Sequence, residues 1–356
     1  MHLEHQEYPH EYKKYISRKL IIIGTGFVLT LMMLIVSITL GAVHLPVIEV
    51  LFTLIGKTIS ARSEIIVWNI RLPQALTAIV AGGGLAISGV VMQSILRNPL
   101  ASPITLGLSH AAAFGAAFSV MFLNTGGMQS SGTGAIVLSN PYTTTFSAFS
   151  FCLISTCVIL IVSSLRRTSP EVMILTGVAM GWIFMAATLF LQFFADDIQL
   201  ASMVFWTFGD TARASWSELG IISGVLLLSL IYFIANRWNY NAIDAGDETA
   251  RSLGVHVQKV RIVGMLMASV VTATIVALLG IIGFIGLVCP HMVRRLIGND
   301  HRFLIPGTCM AGCMLLIAAD TVARLILSPH ILPVAIITSF LGAPVFIYLI
   351  VKGYGR

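Results

Sequence analysis

RWNYNAIDAGDETARSLGVHVQKVR, residues 237–261, places seven charged side chains in twenty-five positions. On either side, 219–236 and 262–290 carry no Asp, Glu, Lys or Arg at all. The neighbours are composed for lipid and the segment between them for water. It is the largest wet interruption in a greasy chain, so it marks a face of the membrane where another molecule can take hold.

Working outward, 57% of the 356 residues are hydrophobic and only 10% are charged, against roughly 25% in soluble domains. An ordinary soluble fold is excluded. Further charge-free runs cover 20–43, 72–96, 98–165, 172–195, 303–319 and 325–351, and several exceed the ~20 residues that cross a bilayer as helix. The expectation is an all-α, polytopic membrane protein of about ten transmembrane helices. The net charge of +6 does not point to nucleic acid, because the basic residues stand singly at the ends of apolar runs. All five cysteines lie within apolar segments without a CxxC pair, which suits packing and not a disulfide framework or a zinc site.

Residues 1–19 read as a polar cytoplasmic tail. Glu4, Glu7 and Glu11 argue against a cleavable signal, and His2, His5 and His10 belong to a disordered stretch and not to a metal site. A single transmembrane domain follows over 20–352, with a short cytoplasmic end at 353–356. Its expected spans are 20–43, 71–96, 100–123, 145–165, 170–195, 219–235, two sharing 262–296 with a break near 280–283, 303–325 and 333–351. Between them lie an amphipathic outer loop (44–68), a Gly/Ser/Asn-rich outer loop (124–144) and an outer loop (198–218) with Trp206 and Trp216 as interfacial anchors. Gly82, Gly83, Gly84 and Gly89 suit close helix approach in the second span. This arrangement puts both termini in the cytoplasm and all Lys and Arg inside except Lys57, Arg62, Arg71, Arg213 and Arg324.

A chain that pumps needs energy, and the residues here offer no source of their own. Gly56-Lys57-Thr58 mimics the end of a phosphate-binding loop, but Leu51 stands where its first glycine belongs. Apart from Asp320, the acids lie in loops or at helix ends, so there is no chain of buried carboxylates for proton coupling. The spans also lack a constellation of His and acidic residues suited to an enzyme.

Three blocks carry a resemblance: RLPQALTAIVAGGGLAISGVVMQSILRNPLASPITLG (71–107), GDETARSLGV (246–255) and GIIGFIGLVCPHMVRRLIGNDHRFLIPG (280–307), the last continued by 320–324 and 332–350. In order and spacing the chain resembles the FecCD/BtuC-like permease family, the membrane half of ABC importers for iron-siderophores, haem and cobalamin, with molybdate among the cargoes of relatives. The resemblance implies ten helices per subunit, a second permease subunit (the same chain or a paralogue), two ABC ATPase subunits carrying ATP and Mg, and an extracytoplasmic substrate-binding protein. It implies no cofactor on this chain, no enzymatic activity of its own and a place in the cell's inner (cytoplasmic) membrane.

Residue by residue, the family's cytoplasmic segment forms two short helices that dock on the ATPase. Here Gly246 and Gly254 bracket the second, over 247–253, with Asp247, Glu248, Arg251 and Leu253 as its coupling residues. Arg71 and Arg324 match arginines that receive acidic residues of the binding protein, although Gln74 stands where the family often has another arginine; Arg324 is also spaced for an i,i+4 pair with Asp320. Thr168, Ser169 and Pro170 match the loop that narrows the exit of the pathway, and the helix after it, with Thr176, Gly177, Met180 and Gly181, lines that pathway. His110 departs from the family's small-polar pattern and suits a packing role. Pro290-His291 reads as a structural turn. The alternative of another class is an ion-coupled secondary transporter acting alone.

Overall fold

The computed structural model describes residues 10–41, 45–57, 60–128, 136–138, 140–166, 168–327 and 330–353. The histidines and acids of the first nine residues, Thr58, Arg167, part of the 124–144 loop and Arg356 lie outside them.

The protein is a helical bundle organised around one helix, α4 (Leu72–Ile95), in which every residue except Leu76, Ile79 and Val80 is buried. Around it stand α12 (Val257–Leu279), α13 (Ile285–Ile297), α14 (His301–Leu325) and α9 (Trp216–Ala235). A second group, α5 (Leu108–Phe122), α6 (Pro141–Ser164) and α7 (Pro170–Phe194), packs on α12. On the periphery, α1 (His10–Thr39) lies along α14, and α15 (Val334–Gly353) lies against α13 and α14. Ten helices fall where the sequence places ten spans. Among the described residues, seven helical segments are long and apolar enough to cross a membrane, and α5 and α15 contribute shorter apolar stretches; α13, 13 residues long with Arg294 and Arg295 in its last turn, is too short to cross one by itself.

Lipid removes most of the hydrophobic drive for helices to associate, so close van der Waals packing must supply it. The glycines of α4 do so. A Cβ on Gly82 would stand 2.2 Å from the Gly312 carbonyl, and one on Gly89 would stand 1.8 Å from the Gly286 carbonyl. Pro290, inside α13, has no N–H to donate back to Gly286. The carbonyl it frees is the one against which Gly89 comes to backbone contact. Pro290-His291 is therefore a helical packing device and not the turn the sequence suggested.

Several boundaries differ from expectation. The second span begins earlier, as continuous helix over Ala61–Ile95 with a wide π-type turn at Ile65–Arg71. The third begins later, because Gly107 takes a left-handed φ of +73° and 98–107 forms a chain of tight turns. The outer loops carry structure of their own: α2 (Val47–Leu54), α3 (Ala61–Glu64), a two-stranded hairpin of β1 (Gly126–Met128) and β2 (Ile136–Leu138), and α8 (Asp197–Thr207). The start of α8 was legible in Asp196 and Gln199, which form a reciprocal capping box. Trp206, expected at the interface, is 5% exposed and belongs to the core; Trp216 is exposed and donates its indole N–H to the Trp68 carbonyl. The polar stretch before Leu20 is helical from His10 onward. The five cysteines are free thiols, all buried except Cys157.

Candidate coupling site and gate

The charged segment folds into two short helices, α10 (Arg237–Asp244) and α11 (Asp247–Ser252). They are attached to the bundle in different ways. Tyr240 and Ile243 of α10 are fully buried, and polar bonds fasten its last turn. Asn241 donates to Asp300 (3.1 Å) and accepts the backbone N–H of His301 (2.8 Å). The Asp244 carboxylate takes Ser94 Oγ at 2.7 Å and meets His301 Nε2 at 2.9 Å. Burial alone would raise the Asp244 pKa, but the bonds from His301 and Ser94 hold it below the usual carboxylate value.

By contrast, α11 buries only Ala250. Gly246 at its start (φ +119°) and Gly254 past its end (φ +82°) take backbone conformations that favour glycine. Nothing lies within 4 Å of a Cβ placed on Gly254, so the glycine answers to the turn and not to crowding. Glu248, Arg251 and Leu253 are exposed. Leu253, at 68% exposure, is an apolar side chain offered to the surroundings beside an acid and a base. Asp247 instead turns inward and pairs with Arg261, both carboxylate oxygens accepting from Nη2 at 2.9 and 3.1 Å.

The loop before α7 lies beside it. Thr168 is 3% exposed and holds a left-handed φ of +57°; Ser169 and Pro170 are half-buried, and the Ser169 hydroxyl donates to Glu171. This loop and α11 border one open groove of about 790 Å³, which also takes in Arg97, Arg166 and Arg261. Residues far apart in sequence are thereby brought to one site. Along α7, Met173, Gly177, Gly181, Phe184 and Leu191 form the buried stripe. Gly177 and Gly181 fit so closely on Leu106 and Gly107 that a Cβ on Gly177 would stand 2.9 Å from the Leu106 side chain. Thr176 and Met180 stand half-buried beside that stripe, and Leu175, Trp182 and Phe193 face outward. His110 sits where α5 crosses α7 near Gly181, in keeping with a packing role.

Arg71 and Arg324 meet at the opposite end of the bundle, each 6% exposed. Arg71 donates to the carbonyls of Ile38 (2.8 Å) and Thr39 (3.0 Å). Arg324 donates to Asp320 (3.1 Å), to the Ser37 carbonyl (3.1 Å) and to the Ser37 hydroxyl (2.5 Å). The same carboxylate accepts from Gln74 Nε2 at 3.0 Å and from Thr211. The glutamine that departs from the family pattern thus serves the Asp320 network. The expected i,i+4 pair is present. Sequence reasoning missed the depth of these arginines and the role of Arg261; a basic residue that continues the apolar face of a long helix, between Val260 and Ile262, was the available signal for the second.

Comparison with known proteins follows the same lines. Residues 29–352 match the model of the FecCD transport family. The chain is 51% identical over 349 residues to a protein of Methanocaldococcus jannaschii provisionally named an ABC transporter permease protein, covering 98% of this chain and 99% of that one. It is 35% identical over 323 residues to the hemin transport system permease protein HmuU of Yersinia pestis, covering 90% and 94%. Among solved structures it superimposes with a TM-score of 0.80 and 28% identity on the inward-facing conformation of a provisionally assigned metal-chelate type ABC transporter, covering 93% of this chain and 99% of that one.

Proposed function

The chain belongs to the FecCD transport family, and from that premise we propose that it is the permease subunit of an ATP-driven importer for siderophore-type iron chelates. Two ABC ATPase subunits hold ATP and Mg, while this chain binds no cofactor and catalyses no reaction. A second permease, the same chain or a paralogue, completes the pathway, and an extracytoplasmic binding protein delivers the cargo across the cytoplasmic membrane. Relatives are named for hemin and for a metal chelate, which supports a bulky chelated cargo; haem, cobalamin and molybdate are the alternatives within the same architecture.

The observation that carries this reading is the shared groove of α11 and the 168–170 loop. An ATPase that grips Glu248, Arg251 and Leu253 takes hold of the wall opposite the gate. Gly246, Asp247 and Gly254 shape that handle. Thr168, Ser169 and Pro170 close the exit, and Thr176 and Met180 line the way to it. Alternating access follows when closure of the ATPases pulls α11 and repositions α7. Arg71 and Arg324 orient the binding protein at the far end. Their burial makes a specific demand, since the partner's carboxylates must reach the rim of an arginine pair already engaged by α1. A proton-coupled mechanism finds little support here, because the buried Asp320 already accepts from Arg324, Gln74 and Thr211.

The test is reconstitution. Proteoliposomes containing this chain, its ATPase and its binding protein should take up hemin, a ferric siderophore or cobalamin only with ATP. Uptake by the chain alone, driven by an ion gradient, overturns the proposal.

A further inference from the structure

Arg261 is the largest side chain buried completely among the described residues, at 1% exposure. It is an awkward residue to bury. A guanidinium removed from water is costly unless it is paired and fully hydrogen-bonded. Near the start of α12 it also sits at the positive end of the helix dipole. Its position answers to three partners instead. Nε donates to the Ile95 carbonyl at 2.7 Å, Nη1 to the Thr168 carbonyl at 3.0 Å, and Nη2 to Asp247. Ile95 is the last residue of α4, where a helix leaves its carbonyls without internal partners.

Each bond leads to a different part of the machine. The first is fixed, because α4 is enclosed by its neighbours. The second is the backbone of the gate loop, at a residue held in a left-handed conformation. The third is the first residue of α11, a helix that buries a single alanine. A guanidinium is a planar fork whose donors keep fixed directions, so it cannot follow one partner without turning away from another.

We propose that Arg261 is the joint through which displacement of α11 is passed to the 168–170 loop. The inference rests on the reading of the chain as an ATP-driven permease, and it assigns the coupling step to one side chain. When α11 is pulled, Asp247 moves with it. The fork turns about its Ile95 bond, and the Thr168 carbonyl loses its donor. A residue in a left-handed conformation then has less to hold it, and the loop leaves the position it has in the structure. Until α11 moves, the same three bonds hold the loop there.

The complete transporter in proteoliposomes tests this, using whichever of hemin, a ferric siderophore or cobalamin the wild type imports. Asp247→Asn preserves shape and weakens one arm of the joint. Arg261→Lys keeps the charge and loses the fork, and Lys259→Gln, on the exposed face of the same helix, controls for loss of a cation. The expected result for both joint variants is a fall of roughly tenfold in cargo moved per ATP hydrolysed, the loss of about one charged hydrogen bond. For Arg261→Lys, ATPase co-purification and hydrolysis should stay within about twofold of wild type, and Lys259→Gln should behave as wild type. Unchanged cargo per ATP in both variants overturns the joint, while failure of the wild type to show ATP-dependent uptake overturns the permease reading itself. A second measurement stands if Arg261→Lys does not accumulate. In the isolated Asp247→Asn chain in nanodiscs, amide exchange should rise both in α11 and at Thr168 and Ser169. A rise confined to α11 overturns the proposal.

Discussion

Two buried arginine sites lie at opposite ends of this bundle, and they are built differently. At the far end, Asp320 is 2% exposed, and its oxygens accept from Arg324, Gln74 and Thr211, on three separate segments of the core. At the other end, the carboxylate that meets Arg261 stands on a helix six residues long that buries a single alanine. The first arrangement is a weld, in which one carboxylate ties α14 to α4 and to the 211–213 turn. The second is a hinge, with a buried fork and a loosely seated lever. One end of the protein therefore resists deformation and the other invites it, from the same residue types.

Four variants would break or sharpen this contrast. The largest effect on stability is expected for Asp320→Ala, which strands Arg324 in the core and should cost about 3–5 kcal/mol; a sharp loss of membrane accumulation and of thermal stability in detergent checks it. Next comes Gly254→Asp, which forces a side chain into a left-handed conformation at a cost of about 1–2 kcal/mol. It should insert normally and fail in import, so normal import would remove α11 from the coupling path. Asp300 caps α14 through the Arg302 backbone N–H, and Asp300→Ala should cost about 1 kcal/mol. Burial alone would raise its pKa, but bonds from Arg302 and Asn241 hold it down at about 2. Its contribution is therefore complete above the ordinary carboxylate value near about 4 and is lost as the pH falls through about 2. Melting curves of wild type and Asp300→Ala should converge over that window. Least for stability is Glu248→Lys with Arg251→Glu, exposed and within about 0.5 kcal/mol of wild type, but predicted to abolish import.

Much of this was legible in the sequence because lipid imposes a simple grammar. Charge-free runs marked the long apolar helices, the Gly280–Phe284 break between α12 and α13 fell where the basic flanks demanded one, and the charged interruption became α10 and α11. Less was legible where one side chain answers to distant partners. Nothing near Arg261 in sequence names Ile95 or Thr168, and nothing near Gln74 names Asp320. The burial of Arg71 and Arg324 was hidden for the same reason, as acceptors for both lie on α1. The structure in the outer loops escaped a reading tuned to hydropathy, although the Asp196–Gln199 cap was written in residue types.

The glycine contacts of α4 also bear on how the protein is made. The partners that touch its backbone, Gly286 and Gly312, are synthesised well over half a chain later. Until they arrive, the second span to leave the ribosome stands in lipid with a groove of small residues and nothing to fill it. Assembly must then insert α13 and α14 against a helix already in place, a long-range closure that a chain ending after α9 has no means to complete. Such a fragment should enter the membrane and remain open to quality-control proteases, whereas the full chain closes around α4 and becomes resistant.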